Sequence, residues 1–216
     1  MSLLMWIHTE SSFIVVTDTL ATTTERKPYA FQSKLWLLPE FNMAIASTGA
    51  AQLADRWYHR LRSDALARDI ETVNAFTQGV LQEEWAKLQT DFPDLPTATI
   101  YHFGVSEAGE TVRYIYRSNT GFNPERGVDE VFAVKPEPKR LPEETPETLD
   151  DLIQFAITVR ADADEAPLPE RICIGGDLIL TQVSANTVAC NRIYRFDDYG
   201  QMWNAMVAMR LNGTEL

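Results

Sequence analysis

The 216-residue chain is 45% hydrophobic and 23% charged, an ordinary globular composition with enough apolar material for one substantial core in a single domain, residues 1–216. Its formal net charge of −12 argues against nucleic acid or an anionic membrane surface as a partner, because phosphates would be repelled. No apolar run reaches the roughly 18 residues of a membrane span, and the N-terminus lacks the basic start and cleavage site of a signal peptide, so a cytoplasmic protein is expected.

Leu3 to His8 is almost wholly apolar, Thr9 to Ser12 is polar and small, and Phe13 to Thr17 is again β-branched and aromatic. This pattern predicts a hairpin of two buried strands. Asp18 stands where the second strand ends. After the polar run Thr22 to Lys27, a third strand opens at Lys34 and reaches Leu38, and a fourth, Met43 to Ala46, runs through Ser47-Thr48-Gly49 into a helix. Ser2, Asp18 and Lys34 are separated by two equal steps of sixteen residues. Each step is long enough to carry a strand out and back, so the three side chains are expected at one end of a sheet. Asp18 and Lys34 both lie at edges of apolar strands, where an unpaired charge is costly to bury and a paired one tolerable.

Leu53, Trp57 and Leu61 recur at helical spacing with arginines between them, and a second amphipathic helix runs from Glu71 to Gln89, stopped by Asp91-Phe92-Pro93. His59 on the first helix has no companion at ligand spacing and reads as a surface imidazole; no metal site is expected. Thr97 to Val105 and Thr111 to Arg117 form a hairpin turning at Gly109, with His102 as a partly exposed strand residue. Gly121 opens an irregular loop, Glu130 to Val134 is one more short strand, and Lys135 to Pro146 is a rigid, solvated connection. Thr145-Pro146 offers a helix cap and first turn, and Leu149, Leu152, Ile153, Ala156 and Val159 mark the helix that follows. Arg171 to Val183 and Asn186 to Phe196 pair as a hairpin in which Gly175-Gly176 marks a bulge or the close approach of another backbone. Cys173 and Cys190 read as reduced core residues. Met202, Trp203, Met206 and Met209 stripe a last helix closed by Asn212-Gly213.

The strand ending Val16-Thr17-Asp18-Thr19-Leu20-Ala21-Thr22, the run Ser33-Lys34-Leu35-Trp36 and Met43-Ala44-Ile45-Ala46-Ser47 entering a helix resemble the β-type subunits of the proteasome and their bacterial relatives, which are N-terminal nucleophile (Ntn) hydrolases. The likeness covers roughly the first ninety residues well and the remainder loosely. In that family a mature N-terminal Thr, Ser or Cys lies sixteen residues before an Asp and thirty-two before a Lys, spacings that Ser2 meets with Asp18 and Lys34. The sequence pattern alone gives an α+β fold; the resemblance implies a four-layer αββα sandwich of two antiparallel sheets and a homo-oligomer, ring-forming as proteasome-like subunits are. The family also places an Asp, followed three residues later by a Ser, after the third helix. Asp162 is the nearest match, but Glu165 stands at the Ser position, and helix-end solvation is the other reading of Asp162.

The chemistry that the resemblance implies needs no cofactor. A serine hydroxyl becomes nucleophilic when its own free α-amine takes the proton; that amine, with an unperturbed pKa near 7.7–8.0, is partly neutral at working pH. Lys34, paired with Asp18, supplies positive charge beside the hydroxyl. Backbone N–H groups of Ser47 or Gly49 face the developing oxyanion. Only Met1 precedes Ser2, and initiator methionine is generally removed before so small a side chain, so Ser2 is expected to become the first residue. Two readings result. One is a threonine-peptidase-like amidohydrolase acting on a peptide or small amide through an acyl-enzyme on Ser2. The other is a catalytically silent subunit kept for assembly or ligand binding. Asp18 and Lys34 at this spacing favour the first, with a core ion pair as their structural alternative.

Overall fold

A computed structural model describes residues 3–23, 25–64, 66–95, 97–127, 131–142, 144–167 and 170–211. The chain opens with strands β1 (Leu4–His8) and β2 (Ser12–Asp18), then β3 (Leu20–Thr22), β4 (Pro28–Phe31), β5 (Leu35–Leu38) and β6 (Met43–Gly49). Helices α1 (Ala51–Asp64) and α2 (Ile70–Asp91) follow, then β7 (Ala98–Val105), β8 (Thr111–Arg117), β9 (Glu125–Gly127) and β10 (Phe132–Lys135). Helix α3 (Leu149–Asp164), strands β11 (Asp177–Ser184) and β12 (Thr187–Arg195) and helix α4 (Tyr199–Leu211) complete it.

The strands make two five-stranded sheets, ordered β10-β1-β2-β11-β12 and β5-β6-β7-β8-β9, with β3-β4 as a separate ribbon. Every pairing is antiparallel. Alternation along β1 and β2 explains why both read as unbroken apolar runs: each is buried on both faces. Leu4, Trp6, Phe13 and Val15 meet Ala44, Ala46, Tyr101 and Phe103 of the second sheet, and the Trp6 ring lies 5.7 Å from both Tyr101 and Phe103. The alternate residues Leu3, Met5, Ile7 and Val16 pack under Leu152, Phe155, Ala156 and Val159 of α3. On the outer face of the second sheet, Met43, Ile45 and Ile100 are covered by Leu53, Trp57 and Leu61 of α1 and by Val73, Leu81 and Leu88 of α2. The result is the four-layer αββα arrangement. No helix among the described residues is long and apolar enough to cross a membrane.

Several local expectations are corrected. The segment between β2 and β5 holds the ribbon β3-β4, whose strands of three and four residues are too short to register by period. The cap of α3 is Thr148 and not Thr145: its side chain accepts the Asp151 N–H at 3.2 Å while Asp151 accepts the Thr148 N–H at 2.9 Å, a reciprocal box stronger than a lone threonine before proline. Residues 171–176 are irregular, and β11 starts at Asp177. β9 went unread; β10 begins at Phe132, and Glu130 lies outside the described residues, as do Thr24, Asn212 and Gly213. Both cysteines are free, but Cys190 is exposed and Cys173 half-buried, so neither is a core residue.

His102 is fully buried, not partly exposed. It lies on the helix-facing side of β7, where its Nε2 accepts the Trp57 indole N–H at 2.8 Å with the two rings nearly parallel. That bond offsets part of the cost of burying both polar rings, while His102 Nδ1 is buried with no hydrogen-bond partner among the described residues. Trp57 is therefore core and offers nothing to a partner subunit. In α4 only Met206 is buried, while Trp203, Val207 and Leu211 are exposed. The helix is held at its start, where Tyr199 stacks on Phe31 of the ribbon at 4.3 Å and Arg160 of α3 pairs with Asp198.

Candidate active site

Asp18 is the hub. Its carboxylate is wholly buried and accepts four donors from four stretches of chain: Lys34 Nζ at 2.7 Å and the Leu3 N–H at 3.0 Å on Oδ1, and the Gly175 N–H at 3.1 Å and the Leu20 N–H at 3.2 Å on Oδ2. A buried carboxylate is tolerable only when so satisfied. Each donor has a local reason for its place. Leu3 enters β1, which pairs with β2 so that Leu4 lies opposite Thr17. Leu20 begins the ribbon, and the Gly175 carbonyl accepts both the Thr19 and Leu20 N–H groups. Gly176 has φ +80°, and a Cβ there would lie 2.4 Å from Thr19 Oγ1, so the crowding at this glycine comes from the Thr19 and Phe31 side chains and not from another backbone.

Lys34 comes from elsewhere than expected. It precedes β5 in the second sheet, whereas Asp18 closes β2 in the first, so the pair bridges the two sheets instead of sharing one sheet end. The lysine is 7% exposed. Burial pulls its pKa below the ordinary lysine value, and the Asp18 charge and hydrogen bond act against that shift. A cation so placed is held in position but yields a proton more readily than one in water.

The β5-β6 ladder ends at Leu35 opposite Ala46, and its register continued by one residue puts Lys34 opposite Ser47. On the other edge of β6, Asn42 accepts the Val105 N–H and the Ala50 N–H donates to Thr97. Even-numbered residues therefore turn their backbone groups toward β7, and by alternation Ser47 and Gly49 turn theirs to the edge that β5 has left open. This edge borders a cavity of about 980 Å³ whose lining includes Lys34, Ser47, Gly49, Trp36, Gln32 and Thr22.

Of the residues read from sequence, the structure brings Asp18 and Lys34 together, and Lys34, Ser47 and Gly49 line one cavity; Ser2 lies outside the described residues. Asp162, near the end of α3, accepts the Lys139 N–H at 3.0 Å. The donors missed were Leu3, Leu20 and Gly175. The Gly175-Gly176 pair was their one visible signal, since a backbone N–H leaves no mark of its own in a sequence. Among the described residues no three His, Cys, Asp or Glu side chains gather as a metal ion would require.

No protein-family model matches the chain, and no curated protein sequence matches it. Solved structures do. The Anbu (ancestral beta-subunit) structure from Yersinia bercovieri has a TM-score of 0.62 at 14% identity, over 97% of this chain and 94% of that one. The Anbu (Gly-1) mutant from Hyphomicrobium sp. strain MC1 gives 0.64 at 14% identity, over 100% and 98%. The helical assembly of the Anbu complex from Pseudomonas aeruginosa gives 0.61 at 14% identity, over 97% and 95%. Likeness at this identity speaks to fold alone. With its two facing antiparallel sheets between helical layers, the chain has the proteasome-like Ntn fold of these ancestral β-subunits.

Proposed function

We propose that the chain is a proteasome-like Ntn amidohydrolase that cleaves a peptide or small amide through an acyl-enzyme on Ser2, once Met1 has been removed. One observation carries this reading: the residue that follows Ser2 in sequence, Leu3, and the buried ammonium of Lys34 are bound to the same oxygen of Asp18. That arrangement tethers the start of the chain to a cation at the mouth of a cavity, which a purely structural ion pair does not need.

In this mechanism the α-amine of Ser2 takes the hydroxyl proton as the oxygen attacks the amide carbonyl. Lys34 lowers the pKa of that hydroxyl, and the N–H groups of Ser47 and Gly49 receive the oxyanion; losing one such donor costs on the order of a hundredfold or more in rate. The α-ammonium then protonates the departing amine, and water, deprotonated by the same amine, hydrolyses the ester. We also take the chain to act as a homo-oligomer, in line with the helical assembly named for the Pseudomonas aeruginosa neighbour.

The test is labelling by an electrophile that forms an adduct with both a hydroxyl and the adjacent amine. Protein with Met1 removed should be labelled at residue 2 alone, and Ser2→Ala and Lys34→Ala should each abolish labelling. Processed, folded protein that shows no labelling at all would falsify the hydrolase reading.

A further inference from the structure

The two oxygens of Asp18 are held in different ways. Oδ1 meets Lys34 and the start of the chain, whereas Oδ2 takes the N–H groups of Leu20 and Gly175. Neither of those two donors belongs to a five-stranded sheet: Leu20 starts the β3-β4 ribbon, and Gly175 lies in the irregular stretch before β11. Such donors keep their aim only where other packing fixes their backbone. Helix α4 supplies it. A Cβ on Gly175 would fall 2.9 Å from Met202 Cε and 3.2 Å from Leu20 Cδ2, so helix, glycine and ribbon are packed together at this point. Nearly one turn earlier on α4, Tyr199 stacks at 4.3 Å on Phe31, the ribbon residue that pairs with Leu20. The Arg195 guanidinium lies 3.8 Å from the centre of the same Tyr199 ring. Arg195 is bound in turn by Asp177 at 2.7 Å, and the Asp177 N–H donates to Thr19 Oγ1 at 2.8 Å. The contacts close a loop from Thr19, next to Asp18, through Asp177, Arg195, Tyr199 and Phe31 to Leu20.

We infer that Tyr199 and Met202 are positioning residues for the proposed acyl transfer: they hold the Leu20 and Gly175 N–H groups on Oδ2 and so keep Oδ1 aimed at Lys34 and the start of the chain. The inference rests on the proposed hydrolase reading for its chemical consequence, and on the packing alone for its geometry. Neither residue lines the cavity at Lys34, so both act through Asp18 and not on a substrate. A carboxylate that loses its donors on one oxygen is free to turn about its bond to Cβ, a torsion with broad wells. The other oxygen then leaves its 2.7 Å bond to a lysine whose charged form burial already disfavours. Reacting groups tolerate little of this, since a displacement of about 1 Å originating far from the chemistry costs on the order of a hundredfold in rate. The stacked ring of Tyr199 is the part that bears on Phe31, so its hydroxyl is dispensable in this role.

The test follows labelling of residue 2 in the full chain with Met1 removed, the rate constant at saturating electrophile and the half-saturating concentration being measured separately. Tyr199→Leu and Met202→Ala should each lower the rate constant roughly ten- to a hundredfold and leave the half-saturating concentration within about twofold. Tyr199→Phe, which keeps the stacked ring, should retain the rate of the unaltered protein. Exchange of the Leu20 and Gly175 amide protons, followed by NMR, should quicken in the first two variants while the Phe103 amide of β7 keeps its rate. Near-ultraviolet circular dichroism checks folding; if Tyr199→Leu does not fold, Met202→Ala carries the test. Unchanged rate constants in folded variants, a change confined to the half-saturating concentration, or a Tyr199→Phe protein as slow as Tyr199→Leu overturns the inference. Faster amide exchange with undiminished labelling also overturns it, because α4 is then a structural support only. If no form of the protein is labelled, the hydrolase reading falls and amide exchange decides alone: quickened exchange upholds α4 as the element that positions the Asp18 donors, and unchanged exchange removes it.

Discussion

Lys34 Nζ lies 2.7 Å from Asp18 Oδ1, although the aspartate ends a strand of one sheet and the lysine precedes a strand of the other. The two charges thus pin the sheets together at the edge where the cavity opens. Their removal should be unequal in effect. Without Lys34 the carboxylate keeps its three backbone donors. Without Asp18 the Leu3 and Gly175 N–H groups and a buried ammonium lose this acceptor at once, and only the Leu20 N–H keeps another, the Gly175 carbonyl.

The expected losses of stability are about 4 kcal/mol for Asp18→Ala and about 2 kcal/mol for Lys34→Met, within the range for breaking buried pairs and orphaning buried donors. Urea unfolding at pH 7 gives both values, and equal losses would contradict the hub described for Asp18.

His102 makes stability depend on acid. Burial holds its pKa down to about 3, whereas an unfolded histidine titrates near 6.5. Below that value the unfolded chain binds a proton that the folded chain refuses, so the stabilisation is fully present above about pH 6.5 and is lost as the pH falls toward 3. The loss is on the order of 5 kcal/mol. His102→Gln, which still accepts from Trp57 but does not titrate, should flatten the decline measured between pH 6 and 4. An unchanged slope would place the acid sensitivity in other groups.

Two glycines at similar φ separate backbone strain from collision. Gly49 has φ +88°, and an added Cβ would fall 1.8 Å from the Thr97 carbonyl oxygen; Gly109 has φ +83° with nothing within 4 Å. Gly109→Ala should cost about 1 kcal/mol from conformation alone. Gly49→Ala must also displace the β6-β7 edge, and is expected to cost at least about 3 kcal/mol and to weaken binding in the adjoining cavity. Thermal unfolding of the pair decides it.

Helix α4 presents exposed apolar side chains, with Trp203 51% exposed and Val207 and Leu211 also open. Sedimentation velocity at micromolar concentration should find an assembly of several chains, and Trp203→Glu should shift it toward smaller species, since a tryptophan anchor is commonly worth 2 kcal/mol or more. A single species with the mass of one chain would remove the proposal of a homo-oligomer.

The strands and helices were legible because they carry strong periods: β1 and β2 are apolar on both faces, and Leu53, Trp57 and Leu61 repeat at helical spacing; their stacking into a four-layer sandwich was implied by the resemblance and not by the periods. The pairing of Asp18 with Lys34 was legible from two equal intervals, but the sheets they belong to were not, because an interval records a return and not the layer to which the chain returns. The polar run Thr22 to Lys27 hid the ribbon, since flanking strands of only three and four residues are too short to show a period. His102 misled for a related reason. It looked half-polar alone, and its bond to Trp57, across 45 positions, is what lets it sit in the core.

The Gly175 N–H that completes the Asp18 site comes from 157 positions further along the chain. Strands β5 to β9 and the two helices between them are contiguous in sequence and can close on themselves, whereas β1 and β2 must wait for β10 and β11. During synthesis the first strands made are therefore among the last to be sealed, and such distant closures are slow. The timing has a protective side: the environment that would activate a chain-end nucleophile does not exist until the last third of the protein has arrived, so a truncated or half-folded product carries no assembled site.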